Sequence, residues 1–367
     1  NLSYFWIALS FWIQFQYDIS DSIQSMLYKA FKENLKHNEA LQKTILYIAA
    51  MSSERVPVPE QLFDRVGEYP ISHYLEEASK QASILGLMSA KDDFSRYWGM
   101  IHDILGRLLL NAFFYDFDFR CKLGFEQARE PEHLRFMVLR EISGKKELAW
   151  RDLMEMGKKF AMDIFKIDPD HGHLAFLPYW REVLEALGEM PSALSKDNRA
   201  FIHHTAITRR RIATCELASI YGVKQQEKKR LLTDAIDALK HALFLPGEPG
   251  TDKDINIYNT LANAYINLEK LERDECASPD RLAELRELAS EATRKAYQAN
   301  PSNSYTIETH LRNLIRIAED GIEKSDTIAI GAQALEVIFR AMHSGDISYR
   351  KVRLGRMAEE LVELMRP

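Results

Sequence analysis

The sequence predicts a mostly α-helical protein in which a small domain with a β-hairpin is followed by a long array of helices. Three observations lead to this prediction. Glycine and proline are sparse, with 16 and 12 residues in a chain of 367, so that little interrupts helix formation. Apolar residues recur at three-to-four spacing through most of the chain. Residues 84–100 instead have the pattern of strand, turn and strand.

Composition is that of an ordinary globular protein, long enough for two or three domains. Hydrophobic residues make up 46% and charged residues 28% of the chain, which excludes a disordered protein. The formal net charge of −6 gives no general attraction to nucleic acid or anionic lipid. Cys121, Cys215 and Cys276 lie far apart and form no CxxC pair. They indicate a reducing compartment, and we expect a cytoplasmic protein.

Residues 1–38 are expected to be a helical tail of a preceding domain. The stretch Tyr4–Phe15, YFWIALSFWIQF, is strongly apolar but shorter than the roughly 20 residues that span a bilayer. No basic region precedes it and no small-residue cleavage site follows, so a signal peptide is not expected. Because the chain starts at Asn1 rather than at methionine, we expect it to be a piece of a longer protein.

The sequence pattern of residues 39–115 predicts a small domain that consists of helices and one β-hairpin. A stripe at helical spacing marks the first helix; it consists of Leu41, Ile45, Ile48 and Ala49. Pro57 and Pro59 then interrupt the helix, and a short helix is expected from Glu60 to Gly67. The segments ILGLMSA, KDD and FSRYWGM predict the hairpin. This order of helix, short helix, helix and hairpin is that of a winged helix.

After about residue 116 only helices are predicted, and some of them have the residue pattern of tetratricopeptide (TPR) repeats. The clearest unit comprises Tyr258, Leu261, Ala262 and Tyr265 on one helix and Ala289, Thr293 and Ala296 on the next, followed by Pro301. An earlier unit comprises Leu217, Ala218, Tyr221, Ala235, Leu239, Ala242 and Pro246. A weaker third one covers residues 309–341. Tandem units with proline in register predict a TPR-like solenoid over residues 116–367.

Few stretches offer chemistry, and we predict no catalytic and no metal-binding residue. Asp170–His173, DHGH, lacks a third protein ligand nearby and is more typical of a solvated loop. The pair His203–His204 precedes Arg209–Arg211, a pattern that favours a polar face between repeats over a phosphate contact. The chain contains no nucleophile elbow, zinc-protease motif or phosphate-binding loop. Any machinery for ATP hydrolysis is therefore expected outside this chain.

The triplet Ile101-His102-Asp103 directly follows the predicted hairpin. A helix is expected to start at Ile101, with an apolar face made of Ile101, Ile104, Leu105, Leu108, Leu109 and Ala112. Asp103 can cap the helix, and His102 would stand where exposed backbone N–H groups favour an anion. An imidazole there can donate to a phosphate oxygen.

This placement resembles the Met-His-Asp motif of STAND signalling ATPases, the class that includes plant disease-resistance proteins and apoptotic and bacterial relatives. The resemblance implies that His102 contacts the β-phosphate of bound ADP, that Asp103 takes the place of the family's aspartate, and that Ile101 replaces the methionine as apolar packing. A winged helix followed by helical repeats is also the family's order. The resemblance covers about residues 1–115 and is only architectural beyond them.

As a STAND fragment, the chain would be the regulatory and sensor half. ADP or ATP, with Mg²⁺, would be bound mainly by residues outside it. The repeats would bind a trigger protein, and activated protomers would form a homo-oligomer. In bacterial relatives the trigger is often a phage protein and the N-terminal effector kills the cell, so that an antiviral defence role is implied. No membrane partner is expected.

Other functions stay open. A transcription regulator also joins a signalling ATPase to repeats, but the would-be recognition helix, residues 71–83, carries one lysine against Glu76 and Glu77, so nucleic acid is not expected as a partner. A TPR-type scaffold without a nucleotide switch predicts no role for His102. For an enzyme with other chemistry we find no paired carboxylates or nucleophile-base set. Tyr179 and Trp180 are candidate partner contacts only as aromatic residues.

Overall fold

The computed structural model describes residues 22–35, 38–63, 70–91, 95–246, 253–319, 324–343 and 351–366. In these ranges the chain is mostly α-helical with one small antiparallel sheet, which confirms the predicted fold class. The chain divides into two compact units: the first comprises residues 1–166 and 173–196, and the second 167–172 and 197–367. The apolar stretch Tyr4–Phe15 lies outside the described residues. Within the described ranges, no helix combines the length and apolar character needed to span a membrane.

In the first unit, helices come before, between and after the three strands of a small sheet along the sequence. Its α-helices are α1 (Ile23–Asn34), α2 (Glu39–Ser53), α3 (Ile71–Gln81), α4 (Asp103–Tyr115), α5 (Phe117–Lys122), α6 (Pro131–Ser143), α7 (Met154–Lys159), α8 (Trp180–Glu189) and α9 (Ser192–Ser195). Its strands are β1 (Val58–Pro59), β2 (Leu87–Lys91) and β3 (Arg96–Met100). Short 3-10 turns cover Glu60–Leu62, Ser83–Leu85, Lys146–Ala149, Arg151–Leu153 and Leu177–Tyr179, and a π turn covers Phe160–Ile164.

Helix α2 is the central element of the first unit. Asn38 caps its start, since its Oδ1 accepts from the N–H of Leu41 at 2.9 Å. Every residue from Thr44 to Ser53 is buried, because α4, α6 and β3 all pack against the helix. The predicted stripe therefore identified the helix but covered only part of its buried surface.

Helices α2 and α4 cross so closely that one position has no room for a side chain. A Cβ on Gly106 would lie 2.3 Å from the backbone oxygen of Ala49. Two turns further along α4, the ring of Phe113 packs edge-on against Phe31 of α1, with centroids 6.1 Å apart, and against Phe119 of α5 at 5.6 Å. The core of the first unit is thus built around α4 as well as α2.

The sheet has the order β1-β3-β2 and is antiparallel throughout. The hairpin of β2 and β3 was predicted, although Ile84 and Leu85, which were predicted as strand, belong to a 3-10 turn. Strand β1, which pairs Val58 with Trp98, was not predicted, since two residues give no period-2 pattern. Trp98 is buried and its Nε1 donates to Glu60 at 3.1 Å, which fixes the sheet to the turn after β1.

In the second unit each helix packs against the next along the chain. The α-helices are α10 (Arg199–Thr214), α11 (Gln225–Phe244), α12 (Lys253–Asp274), α13 (Pro279–Ala299), α14 (Ser304–Glu319), α15 (Lys324–His343) and α16 (Lys351–Met365), and 3-10 turns cover Pro169–His171 and Glu216–Ser219. Contacts also join α10 to α12, α12 to α14 and α14 to α16. The unit is therefore a consecutive helical array.

The array agrees with one predicted repeat in its helix boundaries and contradicts another. The residues of the clearest unit lie on α12 and α13, with Ala262 and Ala289 fully buried. In the earlier unit, Leu217 and Tyr221 are 46% and 42% exposed and follow α10 in and after a 3-10 turn. That placement was wrong, because α10 and not this turn is the partner of α11. The assignment to TPR repeats stays a prediction.

We expect Gly106→Ala to destabilise the first unit by about 1–3 kcal/mol, because the new methyl group must displace the backbone of α2. Gly188→Ala is the matched control: a Cβ at Gly188, also helical, meets nothing within 4 Å. It should raise stability by up to about 1 kcal/mol through helix propensity. Chemical denaturation followed by circular dichroism measures both. Equal stability of the two variants would show that the crossing can widen without cost.

The second unit should lose stability as pH falls below about 6.5. Burial lowers the pKa of His310 from 6.5 to about 4, and the ring stacks on Tyr297 with centroids 4.9 Å apart. Between these pH values the unfolded chain binds a proton that the folded chain does not, so the free energy of unfolding falls with decreasing pH by about 1.4 kcal/mol per pH unit.

Urea unfolding at pH 7, 6 and 5 tests this contribution. His310→Gln should flatten the pH dependence, whereas the same change at the exposed His343 serves as the control. Burial also lowers the pKa of His203, to about 3, so some dependence should remain in the His310 variant. Identical slopes for the wild-type chain and His310→Gln would contradict the prediction.

Candidate functional site

The candidate site lies where β3 ends and α4 begins. Two hydrogen bonds from backbone N–H groups fix the connection: the N–H of Met100 donates to the side-chain Oγ of Ser52 at 2.9 Å, and the N–H of Ile101 donates to the backbone oxygen of Gly86 at 2.8 Å. Gly86 has φ +61°, a conformation that glycine adopts at no steric cost. His102 is thus held between α2 on one side and the start of β2 on the other.

The start of α4 differs from the prediction in two ways. The helix begins at Asp103, with His102 as the N-cap residue in an extended conformation. The prediction that Asp103 caps a helix starting at Ile101 was therefore wrong, because His102 takes the N-cap position and Asp103 is the first residue of the helix. Ile101 precedes the helix and is 64% exposed, so it does not form the apolar packing that was predicted for it.

The Nδ1 atom of His102 has two neighbours that compete for it. It lies 3.2 Å from the backbone nitrogen of Ile104 and 2.8 Å from Oδ1 of Asp103. A lone pair on Nδ1 would accept from Ile104 but would repel the carboxylate oxygen at the shorter distance. We therefore assign a proton to Nδ1, donated to Asp103. The carboxylate fixes the orientation of the ring.

Asp103 also binds Arg55, which lies in the turn that follows α2. Its Oδ2 accepts from Nε of Arg55 at 3.1 Å. Burial raises the pKa of this carboxyl, but the hydrogen bond from Arg55 and the charges of Arg55, His102 and Arg107 outweigh burial, and the pKa lies below its usual value. Asp103 is thus ionised at neutral pH and holds two basic side chains.

A groove of about 440 Å³ runs along these residues. Its lining comprises Ser52, Arg55, Val56, Pro57, Met88, Ala90, Tyr97, Trp98, Gly99, Met100, Ile101, His102 and Asp103. Most of the lining is apolar, and the charged residues come from two turns, one after α2 and one before α4. The sequence pointed to His102 and Asp103 but not to Arg55, because Arg55 lies 48 residues earlier and belongs to no motif.

Other residues singled out in the sequence serve packing and ion pairs. In the second unit, His171 Nδ1 lies 3.0 Å from Asp168, and Arg211 pairs with Asp168 and Asp170, so these carboxylates are already bound by side chains. His203 hydrogen-bonds Thr260 at 2.9 Å between α10 and α12.

The aromatic candidates for partner contacts are buried in the first unit, with 6% exposure for both Tyr179 and Trp180. Tyr179 stacks on His133 with centroids 4.7 Å apart, and its hydroxyl donates to Glu130. The expectation that these rings anchor a partner was wrong, because sequence alone does not distinguish a buried ring from an exposed one.

Comparison with known proteins gave one result. A family model described as Novel STAND NTPase 7 matches residues 1–213, which is more than half of the 367 residues. Neither the comparison with curated proteins nor that with solved structures found a match. All residues that line the groove, including Arg55, His102 and Asp103, lie within the matched range.

We expect Asp103→Asn to weaken the first unit by up to about 1 kcal/mol at pH 7, since Arg55 is largely exposed and its pairing is screened by solvent. A lowered pKa contributes stability above the usual carboxyl range, and that contribution is lost as pH falls through the folded-state pKa. The difference between wild type and variant in urea unfolding should therefore shrink toward pH 3. Asp118→Asn, in the first turn of α5, is the control for the helix dipole. An equal loss in both variants would exclude a specific role for the pair with Arg55.

Proposed function

The chain belongs to the Novel STAND NTPase 7 family, and on this premise we propose that it is the regulatory and sensor portion of a STAND-type signalling NTPase. Family membership implies nucleotide binding in general. In the proposal, residues 39–115 form a winged helix that reads the nucleotide, and residues 116–367 form TPR-like repeats that recognise a trigger protein. Residues 1–38 are the tail of the ATPase region.

The observation that carries this proposal is the position of His102. It caps α4 on the rim of the groove, directly after the hairpin, where the Met-His-Asp resemblance puts the phosphate-sensing histidine. Its side chain is 39% exposed. Among the residues that the structure describes, none forms a hydrogen bond with Nε2, so this nitrogen is accessible to a ligand.

The chemistry of His102 suits a phosphate. Nδ1 is held by Asp103, and Nε2 donates to an oxygen of the β-phosphate of ADP. A ring that carries a proton on each nitrogen donates to the carboxylate from Nδ1 and to the phosphate from Nε2 at the same time. The backbone N–H groups in the first turn of α4 favour negative charge at the same place.

The same donor set does not suit Mg²⁺. Magnesium prefers carboxylate oxygens and water, and both oxygens of Asp103, the acidic residue in the lining of the groove, are bound to His102 and Arg55. We therefore place Mg²⁺, which neutralises the phosphates of ATP or ADP when bound, outside this groove.

Trigger recognition is proposed for the helical array α10–α16. Stacked helices present an extended surface on which a protein can bind. Binding of the trigger would favour an open state in which His102 leaves the phosphate, ATP replaces ADP and protomers assemble into a homo-oligomer. Such coupling requires that both ligands distinguish the two states. A phage protein as trigger, in antiviral defence, is the specific case suggested by the resemblance to bacterial relatives.

The test compares the full-length protein with its His102→Ala variant. We expect the wild type to purify with ADP as a closed protomer, and the variant to lose ADP or to assemble without a trigger, because the phosphate contact is gone. Chromatography of the released nucleotide and native mass measurement read out both properties.

His73→Ala is the control, since His73 lies on α3 of the same unit and lines no part of the groove. It should behave as the wild type does. If His102→Ala keeps the same nucleotide and the same mass, His102 is only a helix cap. A repeat scaffold without a nucleotide switch in this chain would then be the better description.

A further inference from the structure

Arg55 closes helix α2 in a backbone conformation that glycine normally takes. Its φ is +60°, in the left-handed region. Its N–H donates to the oxygen of Ser52 at 2.9 Å, and the N–H of Val56 donates to that of Met51 at 3.0 Å, which is a Schellman turn. A side chain is disfavoured at this position, so the turn itself gives no reason for an arginine.

The guanidinium of Arg55 has most of its donors available. The side chain is 82% exposed, and Nε donates to Asp103 at 3.1 Å. In the part of the chain that the structure describes, no hydrogen bond involves its two terminal nitrogens. Since the other oxygen of Asp103 holds His102 at 2.8 Å, one carboxylate holds two donors at the same end of the groove.

The charged side chains of the groove, Arg55 and Asp103, lie at this end together with His102. Arg107 also lies near Asp103, and its guanidinium donates to the oxygen of Ser53 at 3.1 Å. The guanidinium groups of Arg55 and Arg107 thus both act on Asp103, whereas Glu132 lies near Arg107 and not near Arg55. The adjoining walls include the buried side chains of Val56 and Trp98, so the charged groups of the groove are confined to this end.

We infer that Arg55 is a second phosphate contact, which binds the terminal phosphate of the nucleoside diphosphate beside His102. This inference rests on the proposed function. A guanidinium fixed through Nε presents its terminal N–H groups as a planar fork, and such a fork binds phosphate oxygens in a bidentate manner. Asp103 is then a positioning residue, since it orients both donors without contacting the nucleotide.

Arg55→Gly tests this role without a loss of fold, because glycine suits the left-handed turn better than arginine does. We expect the variant of the full-length protein to bind ADP about tenfold more weakly, as for loss of a charged hydrogen bond. Its affinity for AMP should be unchanged, because AMP lacks the phosphate that Arg55 contacts. Competition of ADP and AMP against a fluorescent ADP analogue gives both affinities.

The chain offers a closely matched control in Cys276→Gly. Cys276 is an exposed residue with φ +58°, and its turn after α12 has the same two hydrogen bonds, from Cys276 to Arg273 and from Ala277 to Glu272, both at 3.0 Å. The Cys276→Gly substitution puts glycine at a left-handed position of the same type of turn, outside the groove. It should leave the ratio of ADP to AMP affinity as in the wild type.

The outcomes separate this inference from the proposed function. A fall in the ADP-to-AMP ratio in Arg55→Gly and not in Cys276→Gly supports it. An equal effect on ADP and AMP, or no effect, overturns it; if His102→Ala still loses ADP in the same assay, the proposed function stands. Wild-type nucleotide binding by His102→Ala overturns both.

Discussion

The close crossing of α2 and α4 at Gly106 is the constraint on which the first unit depends. Because the backbone oxygen of Ala49 lies where a Cβ would be, the last turn of α2 comes beside the first turn of α4. The turn that ends α2 therefore adjoins the turn that begins α4. Arg107 of α4 adds to this by donating to the oxygen of Ser53. The same crossing brings Arg55 within reach of Asp103.

The sheet fixes the other side of the site. Trp98 of β3 is buried, and Glu60 accepts from its indole nitrogen. Since β1 pairs with β3 at Trp98, the strand that leads to His102 is held on both edges. Ser52 then holds Met100 by a hydrogen bond. A residue that follows such a strand by two positions has little freedom, so the place of His102 is determined by α2 and the sheet together.

Local patterns in the sequence predicted the helices and the hairpin, and they singled out His102 and Asp103 as candidates. What they missed depends on contacts between distant residues. Arg55 joins the site because two helices cross, and β1 forms because β3 offers an open edge. Leu217 and Tyr221 have the spacing of a repeat helix, but α10 already fills the place beside α11. The helix start was misjudged because an extended histidine replaced the expected cap.

The rigidity of the crossing limits how the proposed switch can work. Helix α2 is buried from Thr44 to Ser53, and Gly106 leaves no space for α4 to slide along it. His102 and Arg55 are both bound to Asp103, so a movement of this carboxylate displaces both donors. If these two side chains contact a phosphate, a movement of α4 that carries Asp103 withdraws both of them. Because α4 is packed on α2 and follows β3, such a movement shifts the helices and the sheet together, which is how a change at two side chains would reach the rest of the protein.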